Sequence, residues 1–396
     1  MTVGREVVVL SGVRTAIGDY GGALKDVAPT ELAAHVIKEA VKRAGVEPRE
    51  IGACVMGNVI HTEAKDMYFS RVAAIQGGLS EDSTALTVNR LCGSGLQAIV
   101  SASQMILLGD AETAVAGGAE SMSRGGYLVP GLRWGQRMND GTVIDMMVGA
   151  LTDPFDTVHM GITAENIAEK WKITRSQQDE FAVESHRRAI NAIEKGYFKK
   201  QIVPIELKTR KGTTVFDRDE HPRADTSMES LAKLRAVFKK DGTVTAGNAS
   251  GINDGAAAVV LMERAAADRR GLKPMARLVS YGIAGVDPKL MGIGPVPASR
   301  KALAKAGLTI EQMDVVESNE AFAVQALAVS CDLKLDPKKT NPNGGAVGLG
   351  HPIGATGAVL TVKALYELER IGGKYALVTM CIGGGQGIAA VFERLG

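Results

Sequence analysis

Four short segments carry side chains able to do covalent chemistry. The first is Asn89-Arg90-Leu91-Cys92-Gly93-Ser94-Gly95. An apolar run at helical spacing follows it (Leu96, Ile99, Val100, Ala102, Ile106) and stops at Gly109, so Cys92 is predicted at the start of a buried helix. Backbone N–H groups and the helix dipole at such a place lower a thiol pKa, and the flanking glycines let a substrate approach the backbone. A lone cysteine also packs well as a small apolar side chain, and the segment by itself leaves both readings open. The second segment is Gly344-Gly345-Ala346-Val347-Gly348-Leu349-Gly350-His351-Pro352-Ile353-Gly354-Ala355-Thr356-Gly357. It is not a dinucleotide loop, because Ile353 occupies the place of the third small residue, and it has no P-loop lysine. It presents His351 on a tight turn before a helix, where an imidazole can take a thiol proton.

The third segment, Val378-Thr379-Met380-Cys381-Ile382-Gly383-Gly384-Gly385, is a strand that delivers a thiol onto a glycine loop. Free N–H groups of such a loop can bind a developing oxyanion; a buried cysteine at a strand end is the competing reading. In the fourth, Glu317-Ser318-Asn319-Glu320-Ala321-Phe322, Asn319 stands at a strand-to-helix junction, where a helix cap is the alternative. His35, His61, His159, His186 and His221 show no H-x-x-x-H pairing, so no metal site is expected.

These segments need elements to hold them, and an internal repeat supplies the plan. Ala44-Gly45-Val46 leads through Ile51 to Ala53-Cys54-Val55, and 262 positions on Ala306-Gly307-Leu308 leads through Met313 to Val315-Val316-Glu317. The same displacement carries Ala114-Val115 to Ala376-Leu377 and Cys92 to Gly354, three residues past His351. In the first copy Thr30 is the expected N-cap, Leu32, Val36, Ile37, Ala40 and Val41 form the apolar stripe, and Gly45 stops the helix. Its counterpart is expected from about Ser299 to Ala306. A helical segment is expected from Thr163, and Ala256–Met262 reads as a strand returning to the first unit. The expected organisation is an N-terminal half from 1–120 with 251–271, an inserted loop domain over 121–250, and a C-terminal half over 272–396.

With 396 residues, two packed units and an insertion are expected. A net charge of +2 gives no reason to invoke nucleic acid or a membrane surface. Residues 195–240 differ, with twelve Lys and Arg against six acids; this is either a solvated face or a site for a phosphate-bearing substrate. The four cysteines lie far apart without a C-x-x-C pair, and neither a signal peptide nor a transit peptide is read at the N-terminus. A cytoplasmic location is therefore expected.

Together, the Cys92 segment, Asn319-Glu320-Ala321-Phe322, Gly350-His351-Pro352 and Cys381-Ile382-Gly383-Gly384-Gly385 resemble the thiolases. The likeness runs nearly end to end and includes His159-Met160-Gly161 and Ala246-Gly247-Asn248-Ala249-Ser250-Gly251. It is nearest to bacterial biosynthetic β-ketothiolases. The resemblance implies two βαβαβαββ halves in a five-layer αβαβα sandwich with an inserted loop domain. It implies that Cys92 carries the acyl group, that His351 activates it, and that Cys381 acts as acid and base at the carbon beside the thioester carbonyl. Asn319, through a water, would share one oxyanion hole with His351, and the N–H groups of Cys92 and Gly383 would form the other. Arg223, Ser230 and Phe238 would lie near the nucleotide of coenzyme A, His159 and Ser250 near its pantetheine, and Met160, Met291 and Phe322 at the acyl and pantetheine end, with Ala246 and Ala321 also among the substrate- or coenzyme A-binding residues. The implied reaction is reversible condensation of acetyl-CoA with a short acyl-CoA, and the reverse thiolysis, in ping-pong order. No cofactor is implied, since coenzyme A thioesters are the substrates. A homotetramer is expected. A degradative thiolase of broader chain length and a non-catalytic acyl-CoA-binding protein are the alternatives; a ketoacyl synthase is disfavoured by the second cysteine, Cys381.

Overall fold

The structure is a computed structural model that describes residues 4–209 and 212–396. Arg210 and Lys211 of the basic segment lie outside the described residues. The nine principal strands are β1 (Val7–Arg14), β2 (Ala53–Gly57), β3 (Thr84–Val88), β4 (Thr113–Ser121), β5 (Asn253–Glu263), β6 (Ala276–Gly285), β7 (Val315–Ser318), β8 (Tyr375–Ile382) and β9 (Gln386–Arg394). The helices that matter here are α1 (Pro29–Ala44), α2 (Phe69–Gln76), α3 (Ser94–Leu108), α4 (Met160–Trp171), α5 (Arg175–Glu194), α6 (Pro295–Ala306), α7 (Ala323–Leu333) and α8 (Ile353–Ile371).

The strands run β7-β8-β9-β6-β1-β5-β4-β2-β3. Within the sheet, the two halves are joined where Val8 and Val9 of β1 pair with Arg277 and Ala276 of β6. Within each half the pairing repeats. Ala53 lies opposite Ala114 in a parallel pair, and 262 positions on Val315 lies opposite Ala376, also parallel. The outer strand of the first half, β3, has only a remnant in the second, a single parallel bridge between Val316 and Thr340. Helix α3 packs on β2, β4 and β5 and reaches β9, while α8 packs on α3, on β4 and β5, and on β7 and β8. These two helices therefore form a layer between the two halves of the sheet. Helix α1 covers β1, β4 and β5 from outside, and α6 covers β6, β8 and β9. Five layers result, with α3 and α8 in the middle. The window Leu91–Leu108 is long and apolar enough to cross a membrane, longer than the runs weighed in the sequence, and this central position accounts for its apolarity.

Local starts differ from expectation in instructive ways. Helix α1 begins at Pro29 after extended Ala28, so Thr30 is inside the first turn and caps nothing. Proline at the first helical position has its φ preset and needs no N–H partner, which moves the start upstream. The same reason starts α6 at Pro295, ahead of Ser299. The helical region expected from Thr163 is two helices: Lys172 turns left-handed at φ 55°, and Thr174 opens α5 with a capping box to Gln177. The returning strand is longer than read, Asn253–Glu263, and every residue in it is buried. The insertion is tied to the core by Arg14, fully buried, whose guanidinium meets both oxygens of Asp219 at 2.7 and 2.9 Å.

Candidate active site

Cys92 sits on a strained elbow between β3 and α3. Leu91 is held at φ 45°, a left-handed conformation that costs a side-chain-bearing residue roughly 1–2 kcal/mol. The surroundings hold it there. The Leu91 N–H donates to Asn89 Oδ1 at 3.0 Å, the Ser94 hydroxyl donates to the Leu91 carbonyl at 2.6 Å, and Ser94 Oγ accepts the Arg90 N–H at 2.9 Å. Ser94 thus staples both sides of the elbow, a role that its sequence position beside two glycines did not reveal.

Close crossing of the two central helices brings the imidazole to the thiol. Gly95 and Gly357 occupy equivalent places in the repeat, and they meet reciprocally. A Cβ on Gly95 would stand 2.8 Å from the Ala358 nitrogen, and one on Gly357 would stand 2.4 Å from the Leu96 nitrogen. Neither helix backbone can yield that space, so both positions require glycine. At the head of α8, a Cβ on Gly354 would meet Glu120 Oε2 at 2.5 Å. Glu120 is fully buried and accepts the N–H groups of Gly354 (2.8 Å), Val59 (3.1 Å) and Ile60 (3.0 Å), with the Asn58 amide at 3.2 Å. Burial pushes its carboxyl up to about 8, against these donors. Glu120 was missed in the sequence, although an acid closing the apolar run of β4 was the available signal.

The His351 ring is buried and held at both ends. Its Nδ1 is 2.7 Å from the Thr356 hydroxyl, and its Nε2 is 3.4 Å from the Asn319 amide nitrogen. Its backbone N–H donates to Asn253 Oδ1 at 2.9 Å. Thr356 and Asn253 were not singled out from the sequence. Gly350 before it takes φ +100°, and a Cβ there would strike Asn253 at 2.5 Å. Burial pushes the His351 pKa down to about 4. Cys381 is fully buried at the end of β8, and burial together with the nearby Cys92 raises its thiol pKa strongly. The loop turns through Gly384 and Gly385 at φ +79° and +83°, and the Gly383 N–H acts to lower the Cys92 thiol pKa against its burial.

The expected depression of the Cys92 pKa does not occur. Burial pushes it up to about 11, and the hydrogen bonds from the Gly383 and Cys92 N–H groups offset only part of that. Desolvation outweighs the helix terminus because the half-buried thiol faces the apolar walls of a cavity rather than open water.

Cys92, His351 and Gly383 line one cavity of about 420 Å³ with His159, Met160, Phe238, Ala246, Ser250, Met291, Ala321 and Phe322. Asn319 and Cys381 lie outside that lining, Asn319 against His351. Arg223 and Ser230 line an adjoining cavity of about 320 Å³ that shares Ala246 with the first. Phe238, grouped with Arg223 and Ser230 from the sequence, instead stacks on His159 at 4.5 Å and packs edge-on to Phe322 at 6.3 Å. The stacked imidazole and the edge-on ring of Phe322 hold its aromatic face there.

A duplicated α/β fold whose two central helices bring a thiol and an imidazole to one apolar cavity defines a class of acyltransferases. Residues 7–265 match the family model for the thiolase N-terminal domain and residues 272–394 that for the thiolase C-terminal domain; the chain belongs to the thiolase family. It is 66% identical over 392 residues to the beta-ketothiolase BktB of Cupriavidus necator, covering 99% of this chain and 100% of that protein. The acetyl-CoA acetyltransferase structure from Bacillus anthracis superposes with a TM-score of 0.97 at 50% identity, covering 99% of each chain. Human mitochondrial 3-ketoacyl-CoA thiolase in complex with CoA superposes with a TM-score of 0.95 at 45% identity, covering 99% of this chain and 98% of that one.

Proposed function

We propose that this protein is a β-ketothiolase that condenses acetyl-CoA with acetyl-CoA or another short acyl-CoA, and runs the reverse thiolysis, through an acyl group carried on Cys92. The observation that carries this reading is the single cavity lined by Cys92, His351 and Gly383. The Cys92 sulfur bonds to the thioester carbonyl carbon while its proton passes to His351 Nε2. The imidazolium then returns that proton to the departing thiolate of coenzyme A. The N–H groups of Gly383 and Cys92, which already converge on the sulfur, hold the carbonyl oxygen as it gains charge. Cys381 passes its own proton to His351 Nε2 and, as the thiolate, removes a proton from the methyl carbon of the second acetyl-CoA, while the imidazolium and an Asn319-held water donate to the enolate oxygen. The enolate carbon then bonds to the acyl carbonyl carbon and expels the Cys92 sulfur as a thiolate, which takes the proton back from His351. A raised thiol pKa suits Cys381, because a strong base is needed at carbon. Arg223 and Ser230 face the nucleotide, and His159, Phe238 and Ser250 flank the pantetheine.

The test is to incubate the protein with acetyl-CoA and digest it. An acetyl mass is expected on the Cys92 peptide of the wild type and of Cys381→Ser, the latter without condensation. A folded protein that binds coenzyme A but leaves Cys92 unmodified overturns the reading. Chain length is read from kcat/KM for thiolysis; a strong preference for long chains assigns the protein to degradation instead.

The protein is further proposed to be a cytoplasmic homotetramer. Residues 127–148 support the assembly, leaving the large apolar side chains of Tyr127, Leu132, Met138 and Trp134 exposed, the last 91%, as surface that a second copy would cover. Leu132→Glu with Trp134→Glu is expected to lower the sedimenting mass, and a wild type sedimenting as a stable monomer refutes the tetramer.

A further inference from the structure

The contact between His351 and Thr356 bears on which ring nitrogen carries the proton. Thr356 is 2% exposed and its hydroxyl has two neighbours, the Pro352 carbonyl at 2.8 Å and His351 Nδ1 at 2.7 Å. A threonine hydroxyl has one proton to give. The Pro352 oxygen can only accept, so that proton goes to Pro352. The short approach to Nδ1 then requires a proton from the ring side, and the imidazole supplies it as Nδ1–H donating to Thr356 Oγ1. At the other end of the ring the Asn319 amide nitrogen, a donor, faces Nε2. A donor placed there matches an Nε2 that carries a lone pair. Both ends of the ring therefore specify one tautomer.

We propose that Thr356 is the positioning residue of the catalytic histidine: its hydroxyl, oriented by the Pro352 carbonyl, fixes His351 as the Nδ1-protonated tautomer and reserves Nε2 for the proton of Cys92. The proposal rests on the acyl-transfer reading above and adds to it the group that sets the base. The work is done within one element, because Pro352, Thr356 and the ring all belong to the head of α8, five residues apart at most. Among the described residues, no carboxylate bonds to the ring. The partner is a neutral hydroxyl, which selects a tautomer without stabilising the imidazolium as an aspartate would. Nε2 then carries a proton only while the ring is cationic, between taking it from a thiol and giving it to a departing thiolate, in each half of the reaction. Burial disfavours the cation, so the proton is not retained.

Neutron diffraction from the deuterated wild-type enzyme reads the tautomer directly and without turnover. Deuterium on Nδ1 and none on Nε2 is expected; deuterium on Nε2 alone overturns the proposal. Thr356→Val keeps the shape and removes the hydroxyl. Its single-turnover acylation by acetyl-CoA is expected to fall roughly ten- to hundredfold, with the Kd for coenzyme A unchanged. Thr356→Ser, which restores the hydroxyl, is expected to recover acylation to within about threefold of the wild type. Full acylation in Thr356→Val overturns the proposal, as does a Thr356→Ser as slow as Thr356→Val. If Thr356→Val does not fold, the wild-type neutron map and Thr356→Ser decide the matter. Failure of the wild type itself to acylate Cys92 would instead remove the acyl-transfer reading, and the neutron result would stand apart from it.

Discussion

At the scale of single residues, the thiol and its base form a neutral pair at rest. Burial raises Cys92 to about 11 and lowers His351 to about 4, so at neutral pH the proton stays on sulfur until a thioester carbonyl is in place. Alkylation of Cys92 by iodoacetamide should therefore keep rising as the pH is taken above 9. A plateau between pH 6 and 8 would instead reveal a preformed thiolate–imidazolium pair. The identity of these residues was legible in the sequence because four segments together resemble one family, whereas the Cys92 and Cys381 segments taken alone left a structural reading open. The sign of the Cys92 shift was not. It depends on how far the thiol is withdrawn from open water, and that is decided by the elbow at Leu91 and by the apolar cavity walls that distant segments bring against Cys92.

At the scale of elements, the repeat explains why two distant segments meet. The pseudo-equivalent helices α3 and α8 cross at Gly95 and Gly357, and each glycine accommodates the backbone of the other helix. Gly357→Ala should force the helices apart, costing about 1–3 kcal/mol or more of stability. Acylation of Cys92 should also slow, because the Cys92 elbow and the His351 turn move with their helices. A variant with unchanged Tm and unchanged acylation rate would show that the crossing is slack. The displacement of 262 residues was visible in the sequence, and it placed Cys92 opposite the start of α8. The reciprocal contact of the two glycines was not visible, since in the sequence they are two among 47. Thr356 was equally hidden, because a threonine one turn into a helix reads as an ordinary interior residue.

At the scale of the molecule, burial of histidines shapes the response to acid. His186 is pushed down to about 4, by burial first and then by His221 and Arg223, and His351 is pushed to about the same value. Both groups take up protons near pH 6.5 in the unfolded chain but resist them in the native state. Native stability should thus be intact above about pH 6.5 and fall as the pH drops toward 4, by roughly 1.4 kcal/mol per unit for each group. His186→Gln is expected to make this acid limb shallower in a plot of Tm against pH; an unchanged limb would mean that His186 is free to protonate in the folded protein.

The sequence by itself determined the duplicated α/β plan, the family, and the thiol, imidazole and amide that the site would use, because those features reside in residue type and spacing. Tertiary structure decided the protonation of Cys92, the hydroxyl and carboxamide that hold His351, and the place of Phe238 beside His159 rather than with Arg223. Each of those depends on desolvation or on contact between segments far apart in the chain. Burial at one residue is produced by all five layers together, and no local stretch of sequence contains it.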